Sequence, residues 1–138
     1  MTVSVLLIDN EDDARAALAD RLLRLPEVEL VAAVRDEREA GSALRQAEPD
    51  VLLVDLHSSH GEGDGVRLCS ELRSMASEPL LVLTSFMTDE RWQRLKAAGA
   101  TSYLLKRVDG GYLERTLLLM GTRYKSGSAA PAATENAQ

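Results

Sequence analysis

The chain has 138 residues, a length that suits one domain with a single hydrophobic core, and 45% of its residues are hydrophobic and 28% charged. Its formal net charge of −6 and its lack of a basic cluster argue against direct nucleic-acid contact by this chain. No apolar stretch is long enough to span a bilayer, and the N-terminus lacks the plan of a signal peptide, so we expect a cytoplasmic protein with no membrane partner.

Apolar runs typical of strands alternate five times with amphipathic stretches typical of helices. Periodicity, capping residues and proline or glycine stops predict strands at 3–8, 30–34, 51–55, 80–84 and 102–106, and helices at about 12–25, 37–48, 65–76, 89–98 and 109–124. The polar, glycine-rich stretch 57–65 predicts a loop. We therefore expect one domain over residues 1–124, followed at 125–138 by a disordered tail or truncated linker.

This alternation indicates an α/β protein with a five-stranded parallel sheet and helices on both faces. Five units favour the strand order 2-1-3-4-5, which reverses direction between strands one and three. The unbroken apolar run 51–54 predicts a strand that is buried on both faces and ends in Asp55. Open α/β sheets bind their ligands beyond the carboxyl ends of the strands, and Asp9 and Asp55 flank the reversal point there.

Four strands end in polar side chains, which are Asp9, Asp55, Thr84 and Lys106. Two close carboxylates repel each other unless a cation or proton intervenes, and Mg²⁺ suits oxygen ligands. A carboxylate nucleophile, a divalent ion, a hydroxyl and an ammonium group are the parts needed to receive a phosphoryl group. The alternative is a polar sheet edge that holds an Asp–Lys ion pair without any chemistry.

Four segments, in order and at suitable spacing, resemble the motifs of response-regulator receiver domains (CheY-like) of two-component signalling. The segments are Val5–Glu11 followed by Arg15, Pro49–Leu56, Leu83–Ser85 and Ala98–Lys106. The resemblance covers the chain from residue 3 to about residue 123, and it implies the flavodoxin-like receiver fold. The fifth-strand segment is most similar to receivers of NarL/LuxR-type transcription regulators, which carry a C-terminal helix-turn-helix.

The resemblance implies that Asp55 accepts a phosphoryl group from a histidine kinase or a small phosphodonor. It implies that Mg²⁺ is held by Asp9, Asp55 and the backbone carbonyl of His57, with Asn10 or Glu11 acting through water. On this basis the chain is not an enzyme beyond self-phosphorylation and autodephosphorylation.

The same resemblance gives three residues a part in switching. Thr84 would turn toward the phosphoryl group, Tyr103 would follow it inward, and Lys106 would clamp a phosphoryl oxygen. The surface formed by the fourth helix, fifth strand and fifth helix would then change for partners. The fifth helix also carries a wide apolar stripe, which predicts either deep burial or a homodimer contact: Leu113, Leu117, Leu118, Leu119 and Met120.

The chain departs from the receiver pattern at several places. Asn10 stands where a second acid is usual, Ser58 and Ser59 replace a Met-Pro pair, and Arg107 follows the lysine. Asp64-Gly65 comes two residues late. These departures keep open an atypical receiver that works without phosphorylation as a dimerisation or docking module. A small hydrolase that uses Asp55 is a third alternative with little support.

The remaining reactive side chains have structural explanations. His57 and His60 suggest a metal or phospho-histidine site, but a zinc site usually needs three or four protein ligands, so we expect exposed loop side chains. Cys69, the single cysteine, excludes an intrachain disulfide and is expected to be buried. Trp92 is expected to pack in the core, with a role as a partner anchor as the alternative.

Overall fold

A computed structural model describes residues 1–57 and 61–125 of the chain. The described part contains five strands and five helices in strict alternation. The strands are β1 (Val3–Ile8), β2 (Val28–Val34), β3 (Val51–Leu56), β4 (Leu80–Thr84) and β5 (Ser102–Leu105). The helices are α1 (Asp12–Leu23), α2 (Glu37–Gln46), α3 (Gly61–Met75), α4 (Asp89–Ala97) and α5 (Gly110–Lys125).

The strands form one parallel sheet in the order β2-β1-β3-β4-β5, which confirms the predicted fold class. The chain therefore reverses its direction of strand addition between β1 and β3. The carboxyl ends of the three central strands β1, β3 and β4 lie at one edge of the sheet, where open α/β folds place their ligands.

Alternate residues along the strands feed two hydrophobic cores, one on each face of the sheet. On one face the strands pack against α2, α3 and α4, whose buried residues include Cys69, Trp92 and Leu95. On the other face they pack against α1 and α5 through residues such as Leu22 and Leu117. The burial of Cys69 and Trp92 confirms both expectations, and burial raises the pKa of the Cys69 thiol to about 12.

A reciprocal pair of contacts joins the start of β3 to β1 at the edge of the sheet opposite the polar strand ends. The backbone N–H of Ser4 donates to Asp50 Oδ2 over 2.9 Å, and the backbone N–H of Asp50 donates to Ser4 Oγ over 3.0 Å. Both contacts span 46 residues, the same offset that pairs Val5 with Val51. This pairing continues to Ile8 and Val54, the residues directly before Asp9 and Asp55.

The turn between α4 and β5 is held by Arg73 at the end of α3. Its guanidinium donates to the carbonyls of Ala76, Glu78 and Gly99 over 2.8–2.9 Å. Gly99 has φ 122°, a left-handed conformation that favours glycine. Because one guanidinium donates hydrogen bonds to three backbone carbonyls, the position of this turn relative to α3 is fixed.

The predicted loop at 57–65 is wrong in its second half, because α3 begins at Gly61 rather than at residue 65. Glycine disfavours a helix by about 1 kcal/mol per residue without forbidding it, and burial of Cys69 and Leu72 further along α3 offsets that cost. Gly65 also allows a close approach, since a Cβ there would lie 2.9 Å from Leu56 Cδ1. The first half of the loop, residues 58–60, lies outside the described residues.

Several other boundaries differ from the prediction by one or two residues; α1 ends at Leu23 rather than at residue 25, and α2 ends at Gln46 rather than at residue 48. Strand β2 begins at Val28 instead of residue 30, because this edge strand is only half-buried and its polar Glu29 hides the pattern. The tail predicted at 125–138 begins one residue too early, because α5 extends to Lys125, and residues 126–138 lie outside the described residues. Within the described part of the chain, no helix is both long enough and apolar enough to cross a membrane.

Candidate functional site

The sheet brings the predicted polar residues to one edge. Asp9 follows β1, Asp55 lies near the end of β3, and Thr84 ends β4; their residues are 1%, 6% and 2% exposed. Lys106 follows β5 directly, and its backbone N–H donates to the carbonyl of Thr84 over 2.9 Å. The side chains of Asp9, Asp55 and Lys106 form one cluster around the ring of His57. The Thr84 hydroxyl instead contacts Arg91 and the Phe86 carbonyl.

Asp55 and Lys106 form an ion pair, with Lys106 Nζ 2.7 Å from Asp55 Oδ1. The pKa of Asp55 is raised to about 6, chiefly because burial disfavours the charged carboxylate. The Lys106 ammonium lowers the pKa and the neighbouring Asp9 raises it again. One lysine therefore does not compensate fully for two buried carboxylates, so the cluster favours an additional positive charge.

The side chain of His57 lies between the two carboxylates, which corrects the expectation of an exposed loop histidine. Its Nε2 is 2.7 Å from Asp9 Oδ1 and 3.9 Å from Asp55 Oδ1, and its side chain is only 11% exposed. Its Nδ1 is 3.3 Å from Lys106 Nζ. An ammonium has no acceptor, so Nδ1 must accept from Lys106, which places the proton of a neutral ring on Nε2, where it donates to Asp9. His60 lies outside the described residues.

Asp9 accepts hydrogen bonds from residues that follow it closely in the chain. Its Oδ1 accepts from the backbone N–H of Glu11 over 3.0 Å, and its carbonyl accepts from Arg15 Nη1 over 2.9 Å. Its Oδ2 is buried and has no hydrogen-bond partner among the described residues. Asp55 Oδ1 is also buried, and its close contact is the ion pair with Lys106. Asp9 Oδ2 therefore keeps spare acceptor capacity within the cluster.

The residues of this cluster suit a divalent cation. Asp9, Asp55 and His57 can each offer one ligand atom such that the three atoms lie within 4.8 Å of one another. The two buried carboxylates supply the negative charge that a cation such as Mg²⁺ requires. Of the two residues expected to act through water, Asn10 lines the adjoining cavity, and both Asn10 and Glu11 are exposed.

Sequence reasoning missed Arg91, a buried arginine on α4. Its residue is 7% exposed, and its Nη1 donates to Thr84 Oγ1 over 3.1 Å and to the Phe86 carbonyl over 2.5 Å. The Thr84 hydroxyl in turn donates to the Phe86 carbonyl over 3.3 Å. The available signal was spacing, since Arg91 stands four residues before Leu95 on the apolar stripe of the helix.

Tyr103 stands on β5 beside this group and is half-buried. Its ring lies 5.1 Å from the ring of Trp92, centroid to centroid, with the planes inclined at 52°. This aromatic pair links the strand that precedes Lys106 to the helix that carries Arg91. The expected switch residues Thr84 and Tyr103 therefore both contact α4.

A cavity of about 300 Å³ opens beside Asp55. Three arginines, Arg35, Arg67 and Arg91, contribute to its lining, together with Asn10. Arg35 pairs with Glu39, and Arg67 pairs with acids on α2 and α3, so their charge is partly balanced. Asp36 and Glu37 also line the cavity, so both signs of charge surround the opening beside Asp55.

Comparison with known proteins matches residues 5–117 to the family model described as the response regulator receiver domain. The chain is 33% identical over 120 residues to the DNA-binding transcriptional activator DevR/DosR of Mycobacterium tuberculosis, covering 86% of this chain and 54% of that protein. It is 37% identical over 106 residues to the transcriptional regulatory protein LiaR of Bacillus subtilis, covering 75% of this chain and 49% of that protein. The chain thus spans about half the length of these curated relatives.

Solved structures show the same fold. The signal receiver domain of the putative response regulator NarL from Mycobacterium tuberculosis superposes with a TM-score of 0.71 at 20% identity, covering 88% of this chain and 97% of that one. The receiver domain of a modulated diguanylate cyclase from Desulfovibrio desulfuricans gives a TM-score of 0.73 at 25% identity, covering 93% of this chain and 100% of that one.

Proposed function

The chain belongs to the response regulator receiver family, and we propose that it accepts a phosphoryl group on Asp55 with the help of Mg²⁺. The observation that carries this proposal is the buried Asp55 carboxylate, held 2.7 Å from Lys106 at the edge of the sheet, with Asp9 in the same cluster. An ionised carboxylate that is positioned but only partly neutralised is a suitable nucleophile for a phosphoryl group.

Each residue then has a defined part in the transfer. An oxygen of Asp55 attacks phosphorus, the bond to the donor breaks, and the leaving group departs with its electron pair. Lys106 pairs with the phosphoryl oxygens that replace the ionised carboxylate. Asp9, Asp55 and the backbone carbonyl of His57 would hold Mg²⁺, which neutralises negative charge on the transferred group, and Asn10 or Glu11 would act through water.

The phosphodonor in this proposal is a histidine kinase or a small acyl phosphate. Support for a small donor comes from the cavity of about 300 Å³ that opens beside Asp55. Chemistry in this chain goes no further than its own phosphorylation and dephosphorylation. Residues 1–124 form the receiver unit of this proposal.

The proposed output is a change on the surface formed by α4, β5 and α5. Thr84 would leave its contacts with Arg91 and Phe86 to meet the phosphoryl group, and Tyr103, packed on Trp92, would follow. The named relatives are transcriptional regulators, so we place the output in transcription control, without nucleic-acid contact by this acidic chain.

A homodimer through α5 is a second part of the proposed output. The stripe on this helix is only partly used by the core, because Leu113, Leu117 and Met120 are buried while Leu119 is 46% exposed. An exposed leucine beside a buried stripe offers apolar area to a second copy. Sedimentation of the chain and of its Leu119→Ser variant, with and without beryllofluoride, tests this part.

The test of phosphorylation is intact mass measured after incubation with acetyl phosphate and Mg²⁺. We expect the wild-type chain and the Asp13→Asn variant, which changes an exposed acid on α1, to gain one phosphoryl group. The Asp55→Asn variant should gain none. Equal labelling of the wild type and Asp55→Asn would remove Asp55 from the acceptor role.

A second candidate, a receiver that works without phosphorylation, has one observation in its favour. The His57 ring already lies against Asp9, where a cation would be needed. If acetyl phosphate labels nothing and beryllofluoride with Mg²⁺ leaves Trp92 fluorescence unchanged, this candidate replaces the first. Labelling of Asp55 would exclude it.

A further inference from the structure

We propose that the side chain of His57 is a ligand of the cation site, which therefore takes a divalent transition metal such as Zn²⁺, Co²⁺ or Cu²⁺ through Nε2. The proposal deepens the proposed function, on which it rests for the position of the cation. It differs from the all-oxygen Mg²⁺ arrangement in one ligand, because the same residue would offer its imidazole nitrogen in addition to, or in place of, its main-chain carbonyl.

The distances place the imidazole within reach of an ion that is held by either carboxylate. Nε2 of His57 is 2.7 Å from Asp9 Oδ1 and 3.9 Å from Asp55 Oδ1. Zinc bonds to nitrogen and oxygen are about 2.0–2.2 Å long, so two ligands of one ion are separated by no more than about twice that length. Both measured separations fall below this limit.

A buried oxygen of Asp9 points independently to a ligand. Asp9 Oδ2 is buried without a hydrogen-bond partner among the described residues, and Asp9 is 1% exposed. Leaving a buried acceptor without a partner costs about 1–3 kcal/mol, and more when the group is charged. A cation in contact with this oxygen would remove that cost.

The donor set favours a borderline metal. Imidazole is a common ligand of zinc, copper and nickel, whereas Mg²⁺ binds chiefly to oxygen and retains waters. Two carboxylates and one imidazole also supply the three protein ligands that are typical of an open zinc site. The sequence alone did not show that these three side chains meet.

Metal binding through Nε2 changes the partners of the ring. The neutral ring carries its proton on Nε2, so coordination requires that proton to leave and another to bind at Nδ1. Nδ1 then has no lone pair for Lys106, which now lies 3.3 Å away. Lys106 would keep its contact with Asp55 alone, 2.7 Å from Oδ1.

The experiment uses the full chain without a polyhistidine tag, loaded with one equivalent of Cu²⁺. Pulsed electron paramagnetic resonance detects the remote nitrogen of a coordinated imidazole. We expect this signal in the wild type and in His60→Ala, the matched control at the other histidine of the sequence, and its loss in His57→Ala. Circular dichroism and the fluorescence of Trp92 establish that each variant is folded.

Calorimetry supplies the second measurement. Loss of a residue that only orients a metal ligand weakens metal binding by about 10–100-fold. Since His57 is proposed to be a ligand itself, His57→Ala should weaken Zn²⁺ binding by at least that much. Its Mg²⁺ affinity should not fall, because the main-chain carbonyl of residue 57 is kept. Equal Zn²⁺ affinities of the wild type and His57→Ala, or a nitrogen signal that survives in His57→Ala, would overturn the proposal.

Labelling with acetyl phosphate separates this proposal from the proposed function. If the wild type is labelled on Asp55 with Mg²⁺ but gives no imidazole signal, only the present proposal fails. If the imidazole signal is present but Asp55 is never labelled, the metal site stands and the phosphoryl-acceptor role fails.

Discussion

The guanidinium of Arg91 donates a hydrogen bond to the hydroxyl of Thr84 over 3.1 Å, and both residues are buried. The same guanidinium also donates to the Phe86 carbonyl, which accepts from the Thr84 hydroxyl as well. One cation on α4 therefore joins the end of β4 to the loop that follows it. The Phe86 residue is itself 61% exposed, so this buried group connects directly to the surface.

We expect Arg91→Met to lower the free energy of unfolding by about 2–4 kcal/mol, because it leaves the Phe86 carbonyl and the Thr84 hydroxyl without their charged donor. Thr84→Ala should lower the free energy of unfolding by less, since Arg91 still donates to the Phe86 carbonyl. Urea denaturation followed by circular dichroism measures both. Lys96→Met, an exposed change on the same helix, is the control and should stay within about 0.5 kcal/mol of the wild type. A loss in Arg91→Met no larger than in this control would contradict the role of the guanidinium.

The raised pKa of Asp55 predicts how stability depends on pH. Its pKa is about 6 in the folded chain against an ordinary value of 3.8, so the folded state binds more protons between these values. Stability contributed by this group is therefore lost as the pH rises from about 4 to about 6. Asp55→Asn should match the wild type near pH 4 and exceed it by about 2–3 kcal/mol near pH 7.

Urea midpoints measured at a series of pH values test this prediction. Asp13→Asn, at an exposed acid, should run parallel to the wild type across the range. A constant difference between Asp55→Asn and the wild type at all pH values would show that Asp55 does not carry the dependence.

Removal of Lys106 should raise the pKa of Asp55 further, above about 6, because the ammonium 2.7 Å away lowers it. The change is Lys106→Met, and the measurement is the pH titration of the Asp55 carboxyl carbon by NMR. Lys96→Met again serves as the control with the same change of net charge. An unchanged titration in Lys106→Met would mean that the ion pair does not form in solution.

Two glycine variants should change stability in opposite directions. Gly99→Ala should destabilise the chain by about 1–3 kcal/mol, because φ is 122° there and the new Cβ would lie 2.9 Å from Arg73 Cβ. Gly63→Ala should stabilise it by about 0.5–1 kcal/mol, because this exposed position in α3 has no atom within 4 Å of the added carbon. Thermal melting measures both changes. Stabilisation by Gly99→Ala would contradict the strain that we expect from a Cβ at this position.

The strand order could be predicted from the five alternating units, and the two-faced core could be predicted because runs such as Val51–Val54 are apolar at every position. Such runs identify central parallel strands without any knowledge of their neighbours. The starts of edge strand β2 and of the glycine-rich helix α3 were predicted less accurately. In both, the local pattern is weak, and contacts with distant elements decide the structure.

The strand-end residues Asp9, Asp55 and Lys106 could be predicted because parallel strands end at one edge. The direction of the His57 side chain could not, since Asp9 and Lys106 attract it from positions 48 and 49 residues away. Arg91 was missed for a related reason. A buried cation is recognised by its acceptors, and one of these is a backbone carbonyl that no sequence pattern marks.

The reciprocal contacts of Ser4 and Asp50 have a consequence for chemistry at the far end of the same strands. Repulsion between the negative charges of Asp9 and Asp55 favours separation of β1 and β3 at their carboxyl ends. The two hydrogen bonds between Ser4 and Asp50 oppose that separation. A slip of one residue between these strands would turn one carboxylate to the other side of the sheet. Ser4 and Asp50, at the opposite end of the strands, therefore help to keep the two acids on one side of the sheet.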